Sequence, residues 1–320
     1  GLLLALAYPD RVARRRPGGE PRYMMTNGKG ARFDDAADPL AGEPWLALAD
    51  LDGDRRDARI FLAAPLSLAA IEARFGQAIV EERVCAWDAR ESQVQAVWRR
   101  RLDRLVLAER RDATPDPGRL AAAMLDGVRA MGLGCLPWRP AHQLLRRRVA
   151  LARAAQPEAG WPDLSDAALL DRLDEWLGPY LGGMRGRAHL DRLDLDAALG
   201  GLLDWEARRT LDRLVPTHVT VPSGSTVPVD YDGDEPVLAV RLQEMFGCAE
   251  TPAILGGRMP LLLHLLSPAR RPVQVTRDLA GFWAGSYRAV KADLKGQYPR
   301  HWWPDDPMQA EPTARAKPRK

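Results

Sequence analysis

The sequence predicts an α+β, multidomain chain: a small β-barrel, then a helical connector, then a mixed α+β C-terminal domain. Three observations carry this. Short strand-like runs separated by turn signals fill the chain up to about residue 112. Thr114-Pro115-Asp116-Pro117-Gly118 then interrupts the pattern, and apolar residues recur at helical spacing beyond it. From Pro216 the strand-like pattern returns. The expected boundaries are 1–112, 113–215 and 216–307. A disordered tail is expected over 308–320, because residues from Glu311 onward are polar and rich in Pro, Lys and Arg.

In order along the chain, Leu3, Leu4, Leu6 and Ala7 suit the end of a helix or buried segment, stopped by Pro9. Arg14-Arg15-Arg16-Pro17-Gly18-Gly19 reads as a basic turn. Arg22–Thr26 and Ala31-Arg32-Phe33 flank Asn27-Gly28, a strong hairpin-turn pair. Trp45–Leu51 and Ala58–Ala64 are further strands, and Leu66–Phe75 is a short helix with Leu68, Ile71 and Phe75 on one face. Val80–Trp87 alternates, Val94, Ala96 and Trp98 continue at period two, and Leu102–Ala108 returns. Several short strands interrupted by one helix have the outline of an OB-like small β-barrel, although strand counting alone leaves other small barrels open.

Helices are then expected over Leu120–Met131, from Pro140 onward, over Ala167–Leu177 with Ser165 as N-cap, and over Leu193–Leu203 and Trp205–Leu214. Thr217–Val221 and Thr226–Tyr231 form a hairpin around Pro222-Ser223-Gly224-Ser225, and Val237–Val240 is short and apolar. Arg241–Phe246 reads as a helical turn ended by Gly247. Met259–Leu266 is a buried strand or a helix, which periodicity does not separate. Thr276 is expected to cap one helix running from Arg277 to Leu294, with Leu279, Phe282, Trp283, Tyr287 and Val290 on its core side.

Bulk properties narrow the function classes. The chain has 320 residues and no apolar run long enough to span a membrane. It starts without Met and is expected to begin inside a longer protein. Cys85, Cys135 and Cys248 are widely spaced and odd in number, which gives neither a disulfide framework nor a CxxC pair and suits a reducing cytoplasm. The net charge of +3 is small, but residues 270–320 hold eleven Lys/Arg against five Asp/Glu, so +6, and the rest must sum to −3. Basic and aromatic residues alternate there, from Ser267-Pro268-Ala269-Arg270-Arg271-Pro272 to Tyr298-Pro299-Arg300-His301-Trp302-Trp303. That combination suits a surface that holds phosphates and stacks on bases.

Other chemistries fail on their own patterns. Gly28-Lys29-Gly30 lacks the remainder of a phosphate loop, and Gly132-Leu133-Gly134 lacks the third glycine of a dinucleotide site. Asp50, Asp52 and Asp54 open like a calcium loop, but Arg55 replaces the required Gly and Phe61 stands at position twelve. Asp230, Asp232 and Asp234 fail likewise, with Glu235 and Arg241 at those places. Ser223 and Ser225 beside Gly224 form no GxSxG, and the five histidines form no metal pair. No catalytic and no metal-binding residue is assigned.

Taken together, the basic and aromatic segments over 265–307 resemble the C-terminal part of bacterial HrpB-type DEAH-box ATP-dependent RNA helicases. Supporting stretches include Leu6-Ala7-Tyr8-Pro9-Asp10-Arg11-Val12-Ala13, Asn27-Gly28-Lys29-Gly30-Ala31, Leu136-Pro137-Trp138, Pro222-Ser223-Gly224-Ser225 with Asp230-Tyr231, Gln243-Glu244-Met245-Phe246-Gly247 and Thr251-Pro252. The resemblance covers nearly the whole chain and is most specific over 216–307. It implies an OB-type barrel near the start and, upstream, two RecA-like domains that bind ATP and Mg and hydrolyse ATP. Their phosphate loop and DExH box are not in this sequence, so the chain itself is expected to need no cofactor.

The resulting expectation is an accessory region of an ATP-dependent RNA helicase. Its partners are single-stranded nucleic acid, RNA by the resemblance, and the RecA-like domains of the same polypeptide. Charge and expected exposure, rather than the resemblance, select Tyr23 and Lys29 on the barrel hairpin. The same criteria select Arg270, Arg271, Lys291, Lys295, Arg300 and His301 in the C-terminal domain. The rival is a protein-interaction module whose tryptophans anchor a partner without RNA contact.

Overall fold

The computed structural model describes residues 1–52 and 57–315. Asp54 and Arg55 of the rejected calcium-loop pattern, and residues 316–320 of the expected tail, lie outside the described residues. By internal packing the chain forms two units, Gly1–Ala130 with Leu181–His189, and Met131–Tyr180 with Leu190–Lys320. The helical section expected to stand between two β-containing domains is thus shared between them.

The first unit opens with α1 (Leu2–Ala7), followed by β1 (Val12–Arg15), β2 (Arg22–Met25), β3 (Gly30–Arg32), β4 (Trp45–Leu51) and β5 (Asp57–Pro65). These five strands close into a barrel in the order β1-β2-β3-β5-β4. Alternation decides which side chains enter it. Ala13, Tyr23, Met25, Ala31, Leu46, Leu48 and Ile60 fill the interior. Val12, Trp45 and Ala47 point outward and pack with Ala5, Leu66 and Ile71 in a second core. The last of these lies on α2 (Leu68–Phe75), which starts where the Ser67 hydroxyl accepts from the Ala70 N–H at 3.1 Å.

Two expectations are corrected here. The basic stretch from Arg14, expected as a turn, begins as strand β1. Arg14 spends its charge sideways, donating to the Val106 carbonyl at 2.7 Å and lying over the Trp45 ring. The later strands do not complete the barrel: β6 (Ile79–Asp88), β7 (Gln93–Leu102) and β8 (Leu105–Arg111) form their own antiparallel three-stranded sheet. A barrel that already closes has no free edge to offer them.

The helix α3 (Pro117–Met131) approaches β6 closely at one point. A Cβ on Gly127 would lie 2.5 Å from the Trp87 indole. Gly127→Ala should gain about 1 kcal/mol of helix propensity. Displacing a packed ring costs about 1–3 kcal/mol, so the substitution is expected to lower the denaturation midpoint. Adding Trp87→Leu should make Gly127→Ala harmless or favourable; strictly additive effects would show that the indole is not the obstacle.

The chain returns to this unit at residues 181–189, where the Val94 N–H donates to Arg185 at 2.8 Å and the Arg187 N–H donates to Ser92 at 2.9 Å.

The second unit contains α4 (Pro140–Ala155), α5 (Asp166–Asp171), α6 (Leu173–Trp176), α8 (Leu195–Gly200) and α9 (Trp205–Leu214), while α7 (Arg187–Leu190) lies where the chain crosses into it. Ser165 caps α5 as expected, but the helix breaks at Arg172. Buried Arg148 on α4 donates at 2.6 Å to both the Val215 carbonyl and the Asp212 carboxylate, closing the C-terminal end of α9.

Next come β9 (His218–Thr220), β10 (Thr226–Asp230), β11 (Val237–Arg241), the small pair β12 (Ala253–Ile254) and β13 (Met259–Pro260), then β14 (Leu262–Leu266) and β15 (Pro272–Thr276). The undecided segment Met259–Leu266 is therefore strand. The main sheet runs β15-β14-β11-β10-β9, with β11 and β14 parallel. Glu244, itself buried, accepts from the Ser223 hydroxyl at 2.9 Å, so the Ser223 turn is held structurally.

The single helix expected after Thr276 is two: α10 (Leu279–Ala284) and α11 (Tyr287–Gln297). Asp278, not Thr276, caps the first, its carboxylate accepting from the Gly281 N–H at 2.8 Å. The backbone of Gly285 leaves the helical region and separates the two. Phe246 is fully buried among Trp283, Tyr287 and Trp302, with ring centroids 5.9, 6.3 and 6.1 Å away.

The tail expected to be disordered is tied down over its described part, 308–315. The Thr313 N–H donates to Gln243 at 2.9 Å, Arg241 donates to the Ala314 carbonyl at 3.0 Å, and Ala310 is buried. Its polarity hid this, because the docking runs largely through backbone groups.

Candidate nucleic-acid interface

The eight residues selected from the sequence are divided between the two units. Lys29 and Tyr23 lie in the first unit and the other six in the second.

Tyr23 is corrected. It is 0% exposed, and its hydroxyl lies 2.9 Å from the Leu40 and Glu43 carbonyls and 3.2 Å from that of Ala41. Burial pushes its pKa up to about 12. It pins the 40–43 loop over the barrel and offers no face to a base. Lys29 is exposed on the hairpin as expected, beside Asn27, whose side chain accepts from the Lys29 backbone N–H at 3.0 Å.

In the second unit, Arg270 and Arg271 sit exposed on the β14–β15 turn, with Arg270 at φ 61°. Arg271 lines a cavity of about 290 Å³ together with Ser267, Asp293, Gln297 and Tyr298. Lys295 and Arg300 are exposed.

Lys291 is also corrected. Its side chain is 15% exposed and paired with Asp305. The hydrogen bond and charge of Lys291 hold that carboxyl below its usual range. His301 is half-buried, edge-on to Tyr298 at 6.2 Å. Burial and the charge of Arg241 push its pKa down, so it adds no cation at neutral pH. What remains for an anion is Arg270, Arg271, Lys295 and Arg300.

The barrel supplies a patch that the sequence selection missed. Arg22 pairs with Arg32 across β2–β3, and Arg32 pairs with Arg59 across β3–β5. All three are exposed on the outer face, because the alternating Tyr23, Ala31 and Ala58 turn inward. Like charges directly opposite one another are unfavourable. Acids at the margin offset them, with Arg22–Glu20 at 2.6 Å, Arg22–Asp57 at 3.6 Å, Arg59–Asp34 at 2.9 Å and Arg32–Asp34 at 3.4 Å. Phe61, two residues beyond Arg59, is 55% exposed with the Arg59 guanidinium 5.2 Å from its ring. Three guanidinium forks and one open ring can take phosphates and a base. The signal was present in the alternation Arg59-Ile60-Phe61, but only strand pairing brings Arg22 and Arg32 beside it.

Among the described residues no group of His, Cys, Asp and Glu is placed to hold a metal ion, and no helix is long and apolar enough to cross a membrane.

Residues 176–307 match the family model described as "ATP-dependent helicase C-terminal", HrpB_C. Over 319 residues the chain is 44% identical to the ATP-dependent RNA helicase HrpB of Escherichia coli K12, an alignment covering 98% of this chain and 39% of that protein. The crystal structure of the E. coli DExH-box NTPase HrpB superposes with a TM-score of 0.62 and 42% identity, over 98% of this chain and 39% of that one. A second crystal structure, of the E. coli DEAH/RHA helicase HrpB, gives 0.55 and 39%, over 95% of this chain and 38% of the other. By sequence and by fold, this chain is similar to the C-terminal region of HrpB, and it spans about 39% of the length of the curated relative it matches.

Proposed function

We propose that this chain is the strand-guiding part of an ATP-dependent RNA helicase, holding single-stranded RNA beside ATP-hydrolysing domains of the same polypeptide. The observation that carries the reading is the Arg22–Arg32–Arg59 row with exposed Phe61 on the outside of an OB-like barrel. Faces of this kind bind oligonucleotides through phosphate and stacking contacts. Arg270, Arg271, Lys295 and Arg300 add basic surface in the second unit. ATP and Mg chemistry belongs to residues outside this chain, which alone should not hydrolyse ATP. A cytoplasmic setting is supported by three free cysteines. The protein-interaction reading keeps one of its expected anchors in the C-terminal domain, because Trp283 and Trp303 are buried in the unit's own core while Trp302 is 36% exposed.

The test is binding of a labelled oligouridylate across a salt series. Replacing Arg22, Arg32 and Arg59 together by Gln should weaken binding. It should also flatten the slope of log affinity against log salt by about 2, at about 0.7 for each single-strand phosphate that is no longer neutralised. Unchanged affinity and slope would remove the barrel face from the interface.

A further inference from the structure

One aromatic side chain has no place in either core. Trp205, the first residue of α9, is 72% exposed, the most open aromatic ring among the described residues. A lone exposed apolar residue needs no explanation, but this one does not stand alone. Residues four apart on a helix share a face, so Arg209 and Arg213 continue the line from Trp205. The Arg209 guanidinium lies 5.5 Å from the Trp205 ring centroid. Arg209 and Arg213 are both exposed, and neither has an ion-pair partner among the described residues.

Except for exposed Glu206, the other charges of α9 and its cap are already engaged. Arg208 turns inward to the Gly200 and Leu203 carbonyls, Asp212 is held by Arg148, and the Asp204 side chain accepts from the Ala207 N–H at 2.7 Å. The result is an open indole followed by two unpaired guanidinium groups, each step advancing about 6 Å along the helix axis.

We infer that this face of α9 is a second contact for single-stranded nucleic acid, with a base stacked on Trp205 and the flanking phosphates held by Arg209 and Arg213. Charge complementarity selects the occupant: two unneutralised cations beside a ring call for an anion that also has a flat, apolar face, and a polynucleotide repeats both at every residue. An acidic protein segment would satisfy the arginines but would not need the ring. The inference rests on the RNA-binding reading and adds a site within the family-matched region that the barrel does not supply.

The experiment compares the whole chain with three variants, Trp205→Ala, Trp205→Phe and the pair Arg209→Gln with Arg213→Gln. Each is titrated with a labelled oligouridylate and with heparin, a polyanion without bases. Thermal unfolding midpoints equal to that of the parent chain establish that these surface changes leave the fold intact. Trp205→Ala should bind oligouridylate about tenfold more weakly and heparin unchanged, and Trp205→Phe should keep most of the affinity. The arginine pair should weaken both ligands and flatten the salt slope by about 1.4.

Trp205→Ala binding oligouridylate as tightly as the parent overturns the inference, as does an equal loss for heparin. If the α9 variants bind like the parent while the Arg22/Arg32/Arg59 variant does not, the α9 site falls and the proposed function stands. If the parent chain binds no oligouridylate even at low salt, both fall together.

Discussion

Phe246→Ala should lower the stability of the second unit by about 3–5 kcal/mol, the range for deleting a fully buried aromatic ring. Phe246 has no exposed surface, and three further rings, Trp283, Tyr287 and Trp302, meet it edge-on or tilted. Alanine would leave a void bounded by large rigid groups that have little freedom to collapse into it. Phe246→Leu keeps much of the volume and should cost less, about 1–1.5 kcal/mol beyond the forfeited edge-on ring packing. Urea denaturation followed by tryptophan fluorescence reads both, since two of the three neighbours are indoles. A midpoint for Phe246→Ala within error of the parent would mean that the cluster does not hold the unit together.

Tyr23→Ala is expected to be comparably severe in the first unit, at about 3–5 kcal/mol, because the ring occupies the barrel interior. Tyr23→Phe separates ring from hydroxyl. It keeps the ring and abandons the carbonyls of Leu40, Ala41 and Glu43, which should cost about 1–2 kcal/mol. Neither substitution should alter the salt slope of RNA binding when measured on folded protein.

The hydroxyl also sets an alkaline limit. Its pKa rises from 10.0 to about 12 on burial. Its contribution is therefore complete below pH 10 and is lost as pH rises through 12, because the unfolded chain ionises first. Tyr23→Phe should lack that component of the alkaline loss. Equal loss in both proteins would place the alkaline sensitivity elsewhere.

Tyr23 also shows where sequence reading stops. The hairpin around Asn27-Gly28 was legible from turn chemistry, and so was the strand that carries Tyr23. A four-residue strand gives two alternating faces with no mark of which is inside. Arg22-Tyr23-Met24-Met25 has apolar residues on both faces, and only closure of the barrel turns Tyr23 inward. The same step turns Arg22 outward, so one undecided bit misplaced a buried tyrosine and hid an exposed arginine row.

In the second unit the aromatic face of residues 279–290 is legible as core, because its spacing is helical over several turns. The break at Gly285 is not, since a glycine inside a helical pattern is often tolerated. Lys291 looks free in the sequence because its partner, Asp305, lies on the far side of a turn that periodicity does not describe. Trp205 reads simply as the start of a helix. Its exposure follows from standing at the first turn of α9, where its neighbours on the same face are Arg209 and Arg213.

The parallel pairing of β11 with β14 has a consequence for how this protein is made. A ribosome delivers β9, β10 and β11 as a meander that can zip from local turns. The fourth strand of the sheet cannot join by a hairpin, because parallel neighbours need a crossover, here residues 242–261. At ordinary translation rates roughly one to five seconds separate the emergence of β11 from the ribosome and that of β14. Throughout that interval Val237-Leu238-Ala239-Val240 presents a bare, apolar edge. The edge of β11 is therefore left bare by the order of the chain's own synthesis, until β14 has emerged to cover it.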